Sequence, residues 1–324
     1  MSNKHAIEIR LHLAHQQGLC LEGEGWSEQD SLRLRASDGR LCEPYPNFYA
    51  QRAWWDGLDP HQQCVTIIRS LSLRHPEWVF CSLSASCIYA FEHAHRLHRG
   101  LVHVATTGSV NGCHAPQLRR HHIPASQLHV NIHHGIRLTS PLRTVFDCGR
   151  EYDFVTALPI VDSALARGAV LHNDLIEYCE TPKRGRGRAQ ALKVAQAADP
   201  HSENGGESMC RAVIIEQGFE APTLQVEIID PIESWKHYRT DFLWELPDGR
   251  RIVGEYDGKQ KYLDRDMTGD AHTGEVILEE RKREQRILLA GISKIIRFDF
   301  SDIINPTYMA NKLTISGIPR QHRR

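Results

Sequence analysis

The chain has 324 residues, long for a single core and suited to two or three domains. Lys plus Arg total 39 against 40 Asp plus Glu, so whole-molecule charge favours no partner and any nucleic-acid contact must come from local patches. The most apolar stretch, Phe154 to Leu171, is interrupted by Asp162 and Arg167, which excludes a good membrane span.

Nine cysteines lie far apart with no C-x-x-C pair, and the N-terminus lacks the apolar core of a signal peptide. The expectation is reduced thiols in a cytoplasmic protein. Twenty histidines, most of them before Asp147, include His121-His122 and His133-His134. No second ligand pair accompanies them at finger-like spacing, so solvated or core-edge histidines are the expected reading rather than zinc ligands.

Ile7, Leu11 and Ala14 recur at helical spacing over residues 4 to 17, and Ser27 followed by Asp30 reads as the capped start of a second short helix. A turn at Asp38-Gly39 leads into Leu41 to Tyr49, a small wing, so residues 1–60 form a degenerate winged-helix-like region or a plain helical cap on the next domain. A helix over Gln63 to Arg74, a strand over Val79 to Ser82 and a serine-capped helix over Ser84 to Glu92 follow. Strands at Leu101 to Thr106 and His129 to Ile132 make this region mixed α and β. Pro141 then opens a helix, and Phe154 to Ala166 forms another with a stop at Gly168. Helices dominate to about Ala198, giving a middle domain over 61–200. Asp147 and Asp162 fall in these helices, where capping and salt bridging account for them.

Lys183, Arg184, Arg186 and Arg188 crowd a glycine-loosened loop able to meet several phosphates, or simply to be solvated. The polar break His201 to Gly206 marks the expected main boundary. Beyond it come a helix over Glu207 to Gln217, strands over Leu224 to Ile229, Tyr238 to Leu246 and Arg250 to Tyr256, a helix over Glu275 to Ala290, and a strand over Ser293 to Phe298. Residues 201–305 thus form an αβββαβ domain, and 306–324 a C-terminal tail.

Pro247-Asp248-Gly249 turns the second strand into the third, so antiparallel pairing brings Asp241 beside Glu255. Two like charges there are costly unless something cationic intervenes, and a divalent metal with hard oxygen ligands answers that need. Gly254 and Gly258 flank the acids and are expected to admit a bulky partner or let the strand bend. Phosphodiester hydrolysis needs such a metal and a further cation: Asp241, Glu255 and Glu207 suit the first role, Lys259 and Lys261 the second. The alternative for the pair is a sheet-end contact neutralised by Arg239 or Lys261, and for Glu207 a helix-start acid favoured by the macrodipole.

Glu207, Asp241, GEYDGKQKY from Gly254 to Tyr262, and EERKREQRILLAGISKIIRF resemble the PD-(D/E)XK nuclease superfamily, in the branch similar to very-short-patch repair endonucleases. Upstream, SPLRTVFDCGR, VDSALARGAV and the basic loop before ESMCRAV resemble AbiEi-type antitoxins of type IV toxin-antitoxin systems. The first resemblance implies a restriction-endonuclease-like fold, Mg²⁺ or Mn²⁺ held by Asp241 and Glu255, and a catalytic set of Glu207, Asp241, Glu255, Asp257, Lys259 and Lys261. It departs from the pattern at Asp257, which stands where the superfamily usually has lysine, so that Lys259 or Lys261 must substitute. The second implies DNA binding and transcriptional repression without cleavage, or a toxin or defence-system partner protein. Lys183, Arg184, Arg186, Arg188, Lys282 and Arg283 are the candidate nucleic-acid contacts under either reading.

Overall fold

The computed structural model describes residues 3–97, 100–110, 116–181, 185–258 and 270–321. The chain divides into two compact units, Met1–Glu151 and Tyr152–Arg324, and both mix helices with sheets, as the sequence patterning predicts.

The first unit opens with α1 (Asn3–Gln16), β1 (Leu21–Glu22), α2 (Gly25–Ser37), β2 (Leu41–Tyr45) and β3 (Phe48–Gln51). Its small antiparallel sheet has the order β1-β3-β2, with β2 and β3 covering the expected Leu41 to Tyr49 segment. Ile7, Leu11, Leu21, Leu32, Leu41 and Tyr49 form its core. Ser27 does not start α2: the helix begins two residues earlier, after Glu24, whose N–H is taken by Glu28 Oε2 at 2.9 Å. That reach-back satisfies one of the donors a helix start exposes.

Next come α3 (Arg52–Asp56), α4 (Pro60–Arg74), β4 (Val79–Phe80), α5 (Ser82–Ile88), β5 (Val102–Thr106), β6 (Leu118–His122), β7 (Val130–His133), β8 (Ile136–Thr139) and α6 (Pro141–Glu151). Asp59 and Gln62 form a reciprocal capping box at α4, with Pro60 at its first turn. The strands make a mixed sheet in the order β6-β5-β4-β8-β7, packed on Ile67, Ile68 and Leu71 of α4. Periodicity does not reveal β6 because its sequence, LRRHH, has a single apolar residue; pairing with β5 defines it.

The second unit contains α7 (Phe154–Ala166), α8 (His172–Glu180), α9 (Arg188–Ala197), α10 (Gly205–Glu216), β9 (Thr223–Ile229), β10 (His237–Glu245), β11 (Arg251–Tyr256), α11 (Asp270–Leu289), β12 (Ile292–Phe298), α12 (Phe300–Ile304) and α13 (Pro306–Ser316). Among the described residues the order from α10 to β12 is αβββαβ, as expected. The sheet runs β12-β11-β10-β9: β9, β10 and β11 pair antiparallel, and β12 returns through α11 to pair parallel with β11. Alternating residues serve opposite faces. Phe242, Trp244, Ile252, Ile296 and Phe298 pack with Val213 and Ile214 of α10 and with Met309 and Leu313 of α13. Leu243, Val253 and Ile228 pack with Ile287 of α11 on the other face.

Two sequence expectations are corrected. The division falls at 151/152 rather than near residue 200, because α7 is locked to α10 by a buried ion pair. Arg211 reaches Asp162 at 2.7 and 2.9 Å, and its other terminal nitrogen donates to the carbonyl of Ala197 at 2.6 Å. His201 to Asn204 is therefore the turn that leads into α10. Residues 306–324 are also not a tail throughout, since α13 buries Met309 and Leu313 in the core. The eight described cysteines are free thiols, and among the described residues no helix is long and apolar enough to cross a membrane.

Candidate functional site

One row of residues crosses the sheet of the second unit. Thr240 pairs with Val226 and Phe242 with Leu224, so Asp241 of β10 lies opposite Gln225 of β9. Phe242 pairs with Gly254, so one step further along the same register Asp241 lies opposite Glu255 of β11. Glu255 pairs in turn with Arg297 of β12. Both acids lie near the Arg283 guanidinium, on which the charges of Glu255 and Asp241 act.

Asp241 Oδ2 accepts from the backbone N–H of Tyr256 at 2.7 Å, which ties it to the end of β11. Glu255 is buried, and both its oxygens lie in the fork of Arg283 from α11, at 2.9 and 2.8 Å. The Arg283 fork also donates to the Arg239 carbonyl at 2.9 Å. Burial opposes the Arg283 charge, yet the hydrogen bond and charge of Glu255, with the charges of Glu280 and Asp241, hold its pKa above the ordinary value. A guanidinium from the neighbouring helix thus offsets the charge of Glu255. Arg239 pairs instead with Glu203, and Lys261 lies outside the described residues.

Glu207 approaches from α10. Asn204 caps that helix, its Oδ1 accepting from Gly206 and Glu207 N–H at 2.9 and 3.0 Å. The Glu207 carboxylate accepts from Glu203 N–H at 2.9 Å, Asn204 Nδ2 at 2.6 Å and Gln225 Nε2 at 3.0 Å. Its role is therefore more than a response to the helix dipole. Burial pushes its pKa up to about 7, and the charges of Asp241 and Glu203 act in the same direction, against those hydrogen bonds. Gln225 is the contributor that sequence reasoning missed. It has φ 52° inside a strand, a left-handed conformation that a non-glycine residue holds only when its surroundings enforce it. Nothing in the local sequence signals this.

Asp257 belongs to a neighbouring network. Its carboxylate accepts from Arg297 at 3.0 Å, and Arg297 also holds Glu280 and Glu284, each at 2.6 Å. Arg297 is half-buried, which opposes its charge, but these three acids raise its pKa. Gly254 does not open a path for a partner: a Cβ there would lie 2.9 Å from Trp244 and 3.0 Å from Phe298, so the glycine admits aromatic packing. At Gly258 a Cβ would meet nothing within 4 Å.

Lys183, Arg184, Lys259 and Lys261 lie outside the described residues. Arg186 is exposed, and Arg188 at the start of α9 donates to the Glu180 carbonyl at 2.8 Å. Lys282 is exposed and pairs with Glu279 at 2.7 Å. Arg283, expected to meet nucleic acid, is instead engaged by Glu255.

The donor chemistry of Asp241 and Glu255 suits a hard divalent cation. Among the described residues, however, no group of three or more donors within 4.8 Å of one another includes these acids. Because Arg283 covers both oxygens of Glu255, metal uptake there requires the guanidinium to withdraw.

No known protein family and no solved structure matches the chain. It is similar to uncharacterized proteins of Mycobacterium tuberculosis strains CDC 1551/Oshkosh and H37Rv, each 32% identical over 120 residues, or 37% of this chain. The matched segment spans 42% of each relative's length.

Proposed function

We propose that the αβββαβ unit is a metal-dependent DNA endonuclease module in which Asp241 and Glu255 hold Mg²⁺ or Mn²⁺ against a phosphodiester. The observation that carries this reading is that Asp241 and Glu255, on adjacent strands, are close enough for both charges to act on Arg283, with Glu207 close enough to feel the Asp241 charge. When bound, the metal supplies polarisation of a phosphoryl oxygen and a lowered pKa for an attacking water.

The protein's own groups arrange the rest. The Tyr256 N–H orients the Asp241 carboxylate, and Asn204, Gln225 and the Glu203 N–H fix Glu207. With its pKa near 7, Glu207 exchanges a proton on its own carboxylate around neutral pH, the range in which a general acid or base is effective. Arg283 holds Glu255 in position and would have to withdraw for that carboxylate to hold a metal. Lys259 or Lys261 offsets charge on the scissile phosphate, in place of the lysine usual at position 257.

A second reading, a DNA-binding regulator that does not cleave, is favoured by the two ion-pair networks. Arg283 already neutralises Glu255, and Arg297 already neutralises Asp257.

Incubation of the purified chain with plasmid and linear DNA across a Mg²⁺ and Mn²⁺ titration separates the two. The nuclease reading expects metal-dependent nicking that Asp241→Ala abolishes while the far-UV spectrum is unchanged. Retention of DNA with no cleavage at any metal concentration, and with affinity falling steeply with salt, establishes the regulator instead.

A further inference from the structure

In the first unit, α4 carries His61 and Cys64 as an H-x₂-C pair, three residues apart and so on one helical face. Cys87 at the end of α5 and His93 beyond it form a C-x₅-H pair. A turn closes the five-residue spacer: Ala90 takes φ 55°, and Phe91 N–H donates back to the Ser86 carbonyl at 3.0 Å. This reversal brings His93 against the other pair.

Cys87 Sγ lies 3.6 Å from His61 Nδ1, and ligand atoms of His61, Cys87 and His93 all fall within 4.8 Å of one another. Tetrahedral zinc, with Zn–S of about 2.3 Å and Zn–N of about 2.0 Å, sets neighbouring S and N ligands roughly 3.5 Å apart. Cys64, on the same face of α4 as His61, acts electrostatically on the Cys87 thiol and lies outside the 4.8 Å group, so a shift of its side chain would bring it in as the fourth donor. His93 Nδ1 contacts the Phe91 carbonyl and donates to it, which leaves the lone pair of the neutral ring on Nε2. A backbone carbonyl that fixes the tautomer in this way is a recurrent support for a metal-binding histidine.

We propose that His61, Cys64, Cys87 and His93 form a structural Zn²⁺ site that staples α4 to the end of α5 and the loop after it. Two thiolates and two imidazoles satisfy tetrahedral zinc fully and leave no open position for a substrate, so the ion stabilises the fold and performs no chemistry. The soft sulfur donors select zinc over magnesium, which separates this site chemically from the acids of the second unit. The sequence expectation of solvated or core-edge histidines is revised for these two, because the ligands pair as histidine with cysteine and not as C-x-x-C.

The same criterion separates a nearby histidine cluster. His103 Nδ1 and His121 Nε2 are 2.9 Å apart, a direct hydrogen bond and shorter than the roughly 3.3 Å that two nitrogens on one zinc require. Glu151 beside them is already held by Arg119 and Ser82, both at 2.7 Å.

The test is metal analysis of the full chain purified from zinc-supplemented cells, followed by exchange with Co²⁺. The expected result is one zinc per chain retained through dialysis, and a cobalt form with strong tetrahedral ligand-field bands and a thiolate-to-cobalt charge-transfer band. Cys64→Ser or Cys87→Ser is expected to halve that band, while Cys179→Ser and Asp241→Ala leave it unchanged. Where a variant does not fold, X-ray absorption of the wild-type zinc form decides alone, with two sulfur and two nitrogen neighbours expected. Zinc-free protein, a weak six-coordinate cobalt spectrum, or a Cys64–Cys87 disulfide in the freshly purified chain each overturns the proposal.

Discussion

Arg283 of α11 grips both carboxylate oxygens of Glu255 of β11, and this pair occupies the place at which a metal is proposed to sit. Removing one partner of a buried pair leaves the other charge uncompensated. Arg283→Ala is therefore expected to lower stability by about 2–3 kcal/mol, read from the urea midpoint at constant slope. Millimolar Mg²⁺ should restore part of that loss in the variant and affect the wild type much less. An equal response of the two proteins would show that guanidinium and metal do not compete for Glu255.

Glu207 makes stability depend on pH. Its folded pKa of about 7 lies above the ordinary 4.5, so the folded chain keeps a proton that the unfolded chain releases. The associated stability is fully present below pH 4.5 and is lost as pH rises to about 7. The span corresponds to roughly 3 kcal/mol, to be read as an order of magnitude. Denaturant unfolding of wild type and Glu207→Gln between these limits checks it. The wild-type curve should fall more steeply with rising pH, and parallel curves would refute the assignment.

The Arg211–Asp162 pair, with side-chain exposures of 4% and 1%, joins α10 to α7. Burial alone raises the Asp162 pKa, against the charge and hydrogen bonds of Arg211. Arg211→Met is expected to cost about 3–5 kcal/mol, because it strands a buried carboxylate. Adding Asp162→Leu should recover most of the loss, and a double-mutant cycle measures the coupling. Additive losses would mean that the pair does not hold the two helices together.

Gly254→Ala tests what the glycine in β11 is for. A Cβ would press on Trp244, Phe298 and Phe242 at 2.9–3.1 Å, so about 1–3 kcal/mol of destabilisation is expected from overpacking. Wild-type stability combined with lost DNA binding would instead make the position a point of ligand approach.

The elements that sequence patterning located well are those that bury a periodic face: α1, α4, α7, α10 and the strands β9 to β12. Apolar spacing there is itself the cause of folding, so it is legible in one dimension. Strand β6 was hidden because its apolar content is slight and its existence rests on β5. The boundary was misplaced for a related reason. A polar, glycine-containing stretch marks a turn, but only the contact between Asp162 and Arg211, 49 residues apart, determines whether the turn separates two bodies.

By itself the sequence determined that the strands carrying Asp241 and Glu255 pair antiparallel, since a tight turn between two strands fixes that pairing through local geometry. It also determined the order of the described elements from α10 to β12. Tertiary structure alone decided what surrounds the acids: Arg283 clamping Glu255, Gln225 holding Glu207, and aromatic rings filling the space at Gly254. Those partners come from elements distant in the chain, and their charge and shape act through space, where linear spacing carries no information.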